Sequence, residues 1–190
     1  MRKYLLGLFL LVPSFTYAAD VGDAAPDFTL KDESGTEHSL SAFAGKYVVL
    51  EWTNPDCPFV KRHARQETMK GLWNDFSEGG VVWLAINSTH YMKPEQNQKW
   101  REDQKLPYHI LNDAEGTVGR AYGAKTTPHM FVIDKEGKII YTGAIDDDRG
   151  GSKGTDAQNY VRQALSESMA GKPVTLSETK PYGCSVKYAG

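Results

Sequence analysis

Two cysteines, Cys57 and Cys184, are the only thiols in this 190-residue chain. Cys57 stands within Trp52-Thr53-Asn54-Pro55-Asp56-Cys57-Pro58-Phe59-Val60. The apolar run Val48-Val49-Leu50 enters this stretch, and an amphipathic run bearing Lys and Arg leaves it. The thiol therefore falls where a strand ends and a helix begins. Unpaired backbone N–H groups and the positive end of the helix dipole face it there. Both favour thiolate, the nucleophilic form. Pro58 suits the first helical turn, where its missing N–H costs little. Cys184 lies at the far end of the chain, in Gly183-Cys184-Ser185-Val186-Lys187-Tyr188. An even cysteine count in an exported chain suggests a disulfide. A bridge closing so long a loop stabilises by up to ~5 kcal/mol in the chain-entropy account. A permanent staple and a cycling redox pair both fit these residues.

Other side chains give weaker signals. His63, His90 and His129 could join the thiols as ligands for copper or zinc, yet no pair has diagnostic spacing. No metal and no cofactor is assigned. Asp146-Asp147-Asp148 lacks the spaced oxygens and closing Glu of a calcium loop and reads as a solvated turn. The formal net charge is −2, and no basic block interleaves with aromatics, so nucleic acid is not an expected partner.

The elements that position Cys57 follow from periodicity. Arg2 and Lys3, the apolar stretch from Leu5 to Val12 and the small residues around Ala18 have the order of a secretory signal peptide over residues 1–18. The expected location is periplasmic or secreted, with membrane contact only during export. Phe28 to Leu30 and Glu37 to Leu40 suggest a short N-terminal hairpin around Ser34-Gly35. Tyr47 to Thr53 and Val81 to Ile86 read as strands buried on both faces. Pro58 to about Phe76 reads as one helix, with Val60, Ala64, Met69, Leu72, Trp73 and Phe76 inward. Helices are expected over Pro94 to Lys105, Ala114 to Tyr122 and Thr155 to Met169. Strands are expected over Tyr108 to Leu111, Met130 to Asp134 and Lys138 to Thr142. This alternation means an α/β fold, a mixed central sheet with helices on both faces. Right-handed crossovers place the Cys57 loop at the sheet's C-terminal edge. Residues 19–170 form the expected domain and 171–190 an extended tail.

Four stretches resemble the peroxiredoxin-like, redoxin branch of the thioredoxin-fold superfamily, which holds the alkyl hydroperoxide reductase/thiol-specific antioxidant family. Val21-Gly22-Asp23-Ala24-Ala25-Pro26-Asp27-Phe28, with Gly35 after it, resembles the opening of those families. Trp52 to Pro58 resembles their active-site loop. Thr126-Thr127-Pro128-His129-Met130-Phe131-Val132-Ile133-Asp134, then Gly137-Lys138, resembles a hairpin in which the proline is cis. The tail from Gly183 to Tyr188 resembles that of a peroxiredoxin-like subgroup. The resemblance implies a thioredoxin-like fold and a cis Thr127-Pro128 bond beside the reactive cysteine. It implies Trp52, Asn54, Pro58, Thr127, Pro128 and His129 as active-site neighbours.

Two positions depart from the pattern. Val60 stands where a C-x-x-C dithiol would have its second cysteine. Asn54 stands where peroxiredoxins have a threonine. Arg62 and Arg120 are both candidates for the arginine that accompanies it, but both read first as solvated surface charges. Three readings remain open. In the first, Cys57 attacks a peroxide or a protein disulfide and Cys184 resolves it, with a thiol reductant closing the cycle; a mobile tail would bring Cys184 to Cys57 within one chain or across a dimer. In the second, the fold is a non-catalytic binding module with a structural Cys57–Cys184 disulfide. The third is metal handling. Oligomeric state is not legible.

Overall fold

The computed structural model describes residues 18–190. The leader expected over residues 1–18 lies, but for Ala18, outside the described residues. Among the described residues no helix is long and apolar enough to cross a membrane.

The expected α/β architecture is present. β1 (Thr29–Asp32) and β2 (Glu37–Ser39) make the N-terminal hairpin, and a 3-10 turn over Leu40–Phe43 follows. Then come β3 (Val48–Trp52), α1 (Pro58–Arg65), α2 (Thr68–Phe76), β4 (Val82–Asn87), α3 (Pro94–Gln104), β5 (Ile110–Asn112) and α4 (Thr117–Ala121). The short β6 (Thr126–Thr127), β7 (His129–Ile133), β8 (Ile139–Gly143), α5 (Tyr160–Met169) and β9 (Cys184–Ser185) complete the chain. Seven strands form the central sheet in the order β2-β1-β5-β4-β3-β7-β8. The hairpin is thus the sheet's edge, joined through an antiparallel β1–β5 pair. β3 runs parallel to β4 and antiparallel to β7.

The alternation of side chains along β3 divides the core. Val49 faces α2 and α5 with Met69, Leu72, Val161 and Leu165. Val48, Leu50 and Trp52 face the opposite layer with Val118, Tyr122 and Phe131. Trp52, Tyr122 and Phe131 form an aromatic triangle with centroids 5.2–5.3 Å apart. Each such pair adds ~0.5–1.5 kcal/mol beyond burial, and the triangle pins the end of β3 to β7. The Trp52 Nε1–H donates to Ser88 Oγ at 3.0 Å.

The expected single helix from Pro58 to Phe76 is two. Glu67 adopts a left-handed conformation (φ 53°) between α1 and α2. The step from Ala64 to Met69 exceeds the i, i+4 interval, so one straight helix cannot turn both sets inward. α1 buries Val60 and His63, while Ala64 is only half-buried. The last helix begins at Tyr160, after a 3-10 turn over Gly154–Asp156; the Asn159 side chain caps it by accepting from Arg162 N–H at 2.9 Å.

Candidate active site

Cys57 is the residue before Pro58, which occupies the first position of α1. Its backbone N–H donates to Asn54 O at 2.9 Å, and the Asn54 Oδ1 accepts from Asp56 N–H at 2.8 Å. Asn54 thus commits its side-chain carbonyl to the turn that presents the cysteine. Its buried position makes it a shaper of the loop.

Thr127-Pro128 is cis, as the resemblance implies. The Cys57 thiol reaches it, donating to Thr127 O at 2.9 Å. On the same segment, β6 pairs antiparallel with β9, and Thr127 sits opposite Cys184. The tail is therefore docked, and both cysteines of one chain meet at Thr127 as free thiols. Gly183 permits this approach. Its φ is +145°, and a Cβ there would collide with Thr127 O.

The two sulfurs are unequal. Cys57 is 2% exposed and Cys184 half-buried. Burial pushes the Cys57 thiol up, but hydrogen bonds from the Cys184 thiol, from Thr127 and from the Val60 and Cys184 backbones outweigh it and hold it below the usual range. Burial and its role as donor to Cys57 push Cys184 up to about 11. The two shifts are opposite in direction: Cys57 is moved toward thiolate, and Cys184 toward the thiol that donates to it. The Thr127 hydroxyl is buried and makes no hydrogen bond, which leaves it free to donate to the Cys57 sulfur when that thiol ionises.

The tail is clasped on both sides of Cys184. Upstream, the Tyr182 hydroxyl donates to Asp146 Oδ1, accepts from Arg62 Nη2 at 3.2 Å and meets His63 Nε2 at 3.1 Å. Its ring lies 5.8 Å from that of Phe59. Downstream, Val186 N–H donates to Lys125 O at 3.1 Å, His90 N–H to Lys187 O at 2.9 Å and the Tyr188 hydroxyl to Ala124 O at 2.8 Å. The Arg120 guanidinium lies 4.7 Å from the Tyr188 ring centroid.

Three sequence expectations change here. Arg62 is no solvated charge: besides Tyr182 it donates to Asp148 O at 2.8 Å and Arg149 O at 3.0 Å. Arg120 is exposed, as expected of a surface charge, and also binds the tail, donating to Ala189 O at 2.6 Å. The Asp146-Asp147-Asp148 turn is not uniformly solvated. Asp146 and Asp148 are buried, because Asp146 holds Tyr182 and Asp148 accepts from Ser152 and Lys153 N–H. The histidines do not converge on the thiols. His129 stacks against Phe131, accepts from Lys125 N–H at 3.2 Å and faces Thr142 Oγ1 at 3.3 Å. Burial lowers its imidazole to about 3, and burial lowers His63 to about 4 despite Asp146. Both are neutral at physiological pH.

Sequence reasoning missed one acid. Glu51, six residues before Cys57 on β3, is buried beneath α1. Desolvation raises its carboxyl to about 7, against hydrogen bonds from Trp83 Nε1 at 3.0 Å and the Tyr108 hydroxyl at 3.4 Å. It borders a cavity of about 20 Å³, also lined by Val60 and His63, with room for about one water. Its signal was a lone charge in an apolar strand.

Residues 21–142 match the sequence profile of the AhpC/TSA family. The chain is 34% identical over 157 residues to the thiol-disulfide oxidoreductase ResA of Geobacillus thermodenitrificans (strain NG80-2), covering 76% of this chain and 87% of that one. Its structure is similar to that of a hypothetical protein from Sinorhizobium meliloti 1021, with a TM-score of 0.82 and 27% identity over 92% of this chain and 97% of the other. It is also similar to Peroxidoxin BcpB from Mycobacterium tuberculosis, with a TM-score of 0.55 and 26% identity over 64% and 83% of the two chains.

Proposed function

The chain belongs to the AhpC/TSA family, and from that premise we propose that it is an exported thiol oxidoreductase in which Cys57 is the nucleophile and Cys184 its resolving partner within one chain. The observation that carries this reading is the pairing of Thr127 with Cys184 while Thr127 O accepts from Cys57. Residues 19–170 then act as the redox domain and 171–190 as the arm that delivers the second sulfur. The order of features in residues 1–18 supports export, which N-terminal sequencing of the mature protein, expected to begin at Ala19, tests.

The burial of Cys57 under the tail favours a small hydroperoxide as oxidant over a protein disulfide. The Cys57 thiolate attacks the peroxide oxygen, the O–O bond breaks, and the alkoxide or hydroxide leaves and takes up a proton. Cys57 is then a sulfenic acid. The Cys184 sulfur attacks the Cys57 sulfur, water leaves and a disulfide forms. A thiol reductant meets the more exposed Cys184 sulfur first. Cys57 departs as the lower-pKa thiolate, the better leaving group, and a second reductant thiol frees Cys184.

Titration of the reduced protein with hydrogen peroxide, followed by thiol counting and intact mass, tests this. One equivalent is expected to remove both thiols and two hydrogens, with full recovery on adding a dithiol. Cys57→Ser is expected to abolish peroxide consumption, and Cys184→Ser to consume one equivalent and retain a trappable sulfenic acid. Oxidation only across two chains, or a bridge that no dithiol reduces and whose loss merely unfolds the protein, would overturn it. The latter result would favour a binding module with a structural disulfide.

A further inference from the structure

At the sheet edge remote from the cysteines, three strands bring two imidazoles to one carboxylate. Asp32 closes β1, His38 lies on β2, and His109 immediately precedes β5. Leu30 pairs with His38, so Asp32, two residues further on the same face, sits diagonal to that imidazole. Asp32 Oδ2 lies 2.8 Å from His38 Nε2 and 3.1 Å from His109 Nδ1. The three atoms are all within 4.8 Å of one another. Glu33 Oε1 lies 3.0 Å from the same His109 nitrogen.

The two Asp32 oxygens have different roles. Oδ1 accepts from Ser34 N–H at 2.8 Å, the Ser34 hydroxyl at 2.7 Å and Thr36 N–H at 3.0 Å, which fixes the hairpin turn. Oδ2 has only the imidazole nitrogens. The carboxylate is almost fully buried, whereas the His109 side chain is 41% exposed and opens the cluster to solvent. Glu33 is partly balanced by Arg101, 3.2 Å away. With neutral imidazoles the cluster keeps one uncompensated negative charge.

We propose that Asp32, His38 and His109 form a binding site for a divalent transition metal of the zinc or copper type, separate from the thiol centre. Two imidazoles and a carboxylate are a borderline donor set that such ions prefer over magnesium or calcium. Metal–ligand bonds of about 2.0–2.2 Å place ligands at right angles about 2.8–3.1 Å apart, the spacing that Oδ2 already keeps with both nitrogens. Metal entry takes each neutral imidazole in the tautomer that carries its proton on the outer nitrogen, Nδ1 of His38 and Nε2 of His109, so that Nε2 and Nδ1 offer their lone pairs to the ion. Water, or Glu33 after a rotation of His109, completes the shell. The site would clip β2, β1 and β5 together at the sheet's edge.

The test uses the mature chain carrying Cys57→Ser and Cys184→Ser, so that no thiolate competes. Zn²⁺ titration against a chromophoric chelator is expected to show one saturable equivalent, with Co²⁺ giving d–d absorption. His38→Gln and His109→Gln are each expected to weaken binding ~100-fold, and His90→Gln to leave it unchanged. If either variant fails to fold, NMR of the histidine-intact protein decides. The His38 and His109 imidazole resonances are expected to shift together and saturate at one equivalent. No saturable binding, binding indifferent to both substitutions, or imidazole resonances that stay still would overturn the proposal.

Discussion

Replacing Glu51 by Gln removes a buried acid while keeping its shape and one acceptor for Trp83 and Tyr108. The carboxyl titrates at about 7 in the fold, against 4.5 for the free side chain. Between those values the folded protein holds a proton that the unfolded chain has released. Stability from this group is therefore complete below about pH 4.5 and is lost as pH rises through 7. A gap of roughly 2.5 pH units at 1.36 kcal/mol each amounts to about 3 kcal/mol. The substituted glutamine cannot ionise, so the variant lacks this loss. Urea denaturation of both proteins, with cysteines kept reduced, gives the two unfolding free energies at each pH. Every other titrating group is common to both, so their difference isolates Glu51. On going from about pH 4.5 to about pH 8 it is expected to move by about 3 kcal/mol in favour of the variant. A difference constant across that range would refute the reasoning, because a buried carboxyl with a raised pKa must lose this stability when it ionises.

Thr127→Val removes the hydroxyl that faces the Cys57 thiolate but keeps the backbone that pairs with Cys184. A hydrogen bond to a charged group contributes about 1.5–3 kcal/mol, so the thiolate–thiol ratio is expected to fall ~10-fold or more, read from the pH dependence of iodoacetamide alkylation in Cys184→Ser. Gly183→Ala places a methyl carbon against Thr127 O and must lift the tail; a displacement near ~1 Å can cost ~100-fold in an intramolecular step, so disulfide formation after peroxide treatment is expected to slow by that order in stopped-flow thiol trapping. Tyr182→Phe strips Asp146 and His63 of a shared hydroxyl. Leaving a buried carboxylate short of a donor costs about 2 kcal/mol, measurable by urea unfolding, while the ring's packing on Phe59 keeps the tail's path.

The strand-to-helix placement of Cys57 was legible because two local signals coincide there, an apolar strand and a proline suited to a helix start. The cis Thr127-Pro128 bond was legible through the family resemblance that the surrounding hairpin residues carry. The proximity of Cys184 was not legible, since it depends on the route of a tail that has no periodicity and is held by main-chain pairing. The contact of Tyr182 with Arg62 and His63 escaped for a related reason. Their partners come from α1, the loop after β8 and the tail, three segments whose contact no spacing rule reports. The break at Glu67 was foreshadowed by the Ala64 to Met69 interval, which a count of apolar positions smooths over. Asp32, His38 and His109 are drawn together only by the β2-β1-β5 strand order. That order is a fact of tertiary pairing.

The clasp of the tail by Tyr182 on one side and Tyr188 on the other also bears on time. A second sulfur held away from the first has to travel before it can react, and that excursion then limits turnover. Here the arm is already seated, and Cys184 lies across from Thr127 before any oxidant appears. The sulfenic intermediate would therefore live only as long as the condensation itself takes. A brief lifetime leaves little opportunity for a second peroxide to drive Cys57 on to the irreversible sulfinic acid. In the proposed cycle a seated tail would make the centre resistant to inactivation under high oxidant load, and loosening either tyrosine would erode that resistance before it altered the fold.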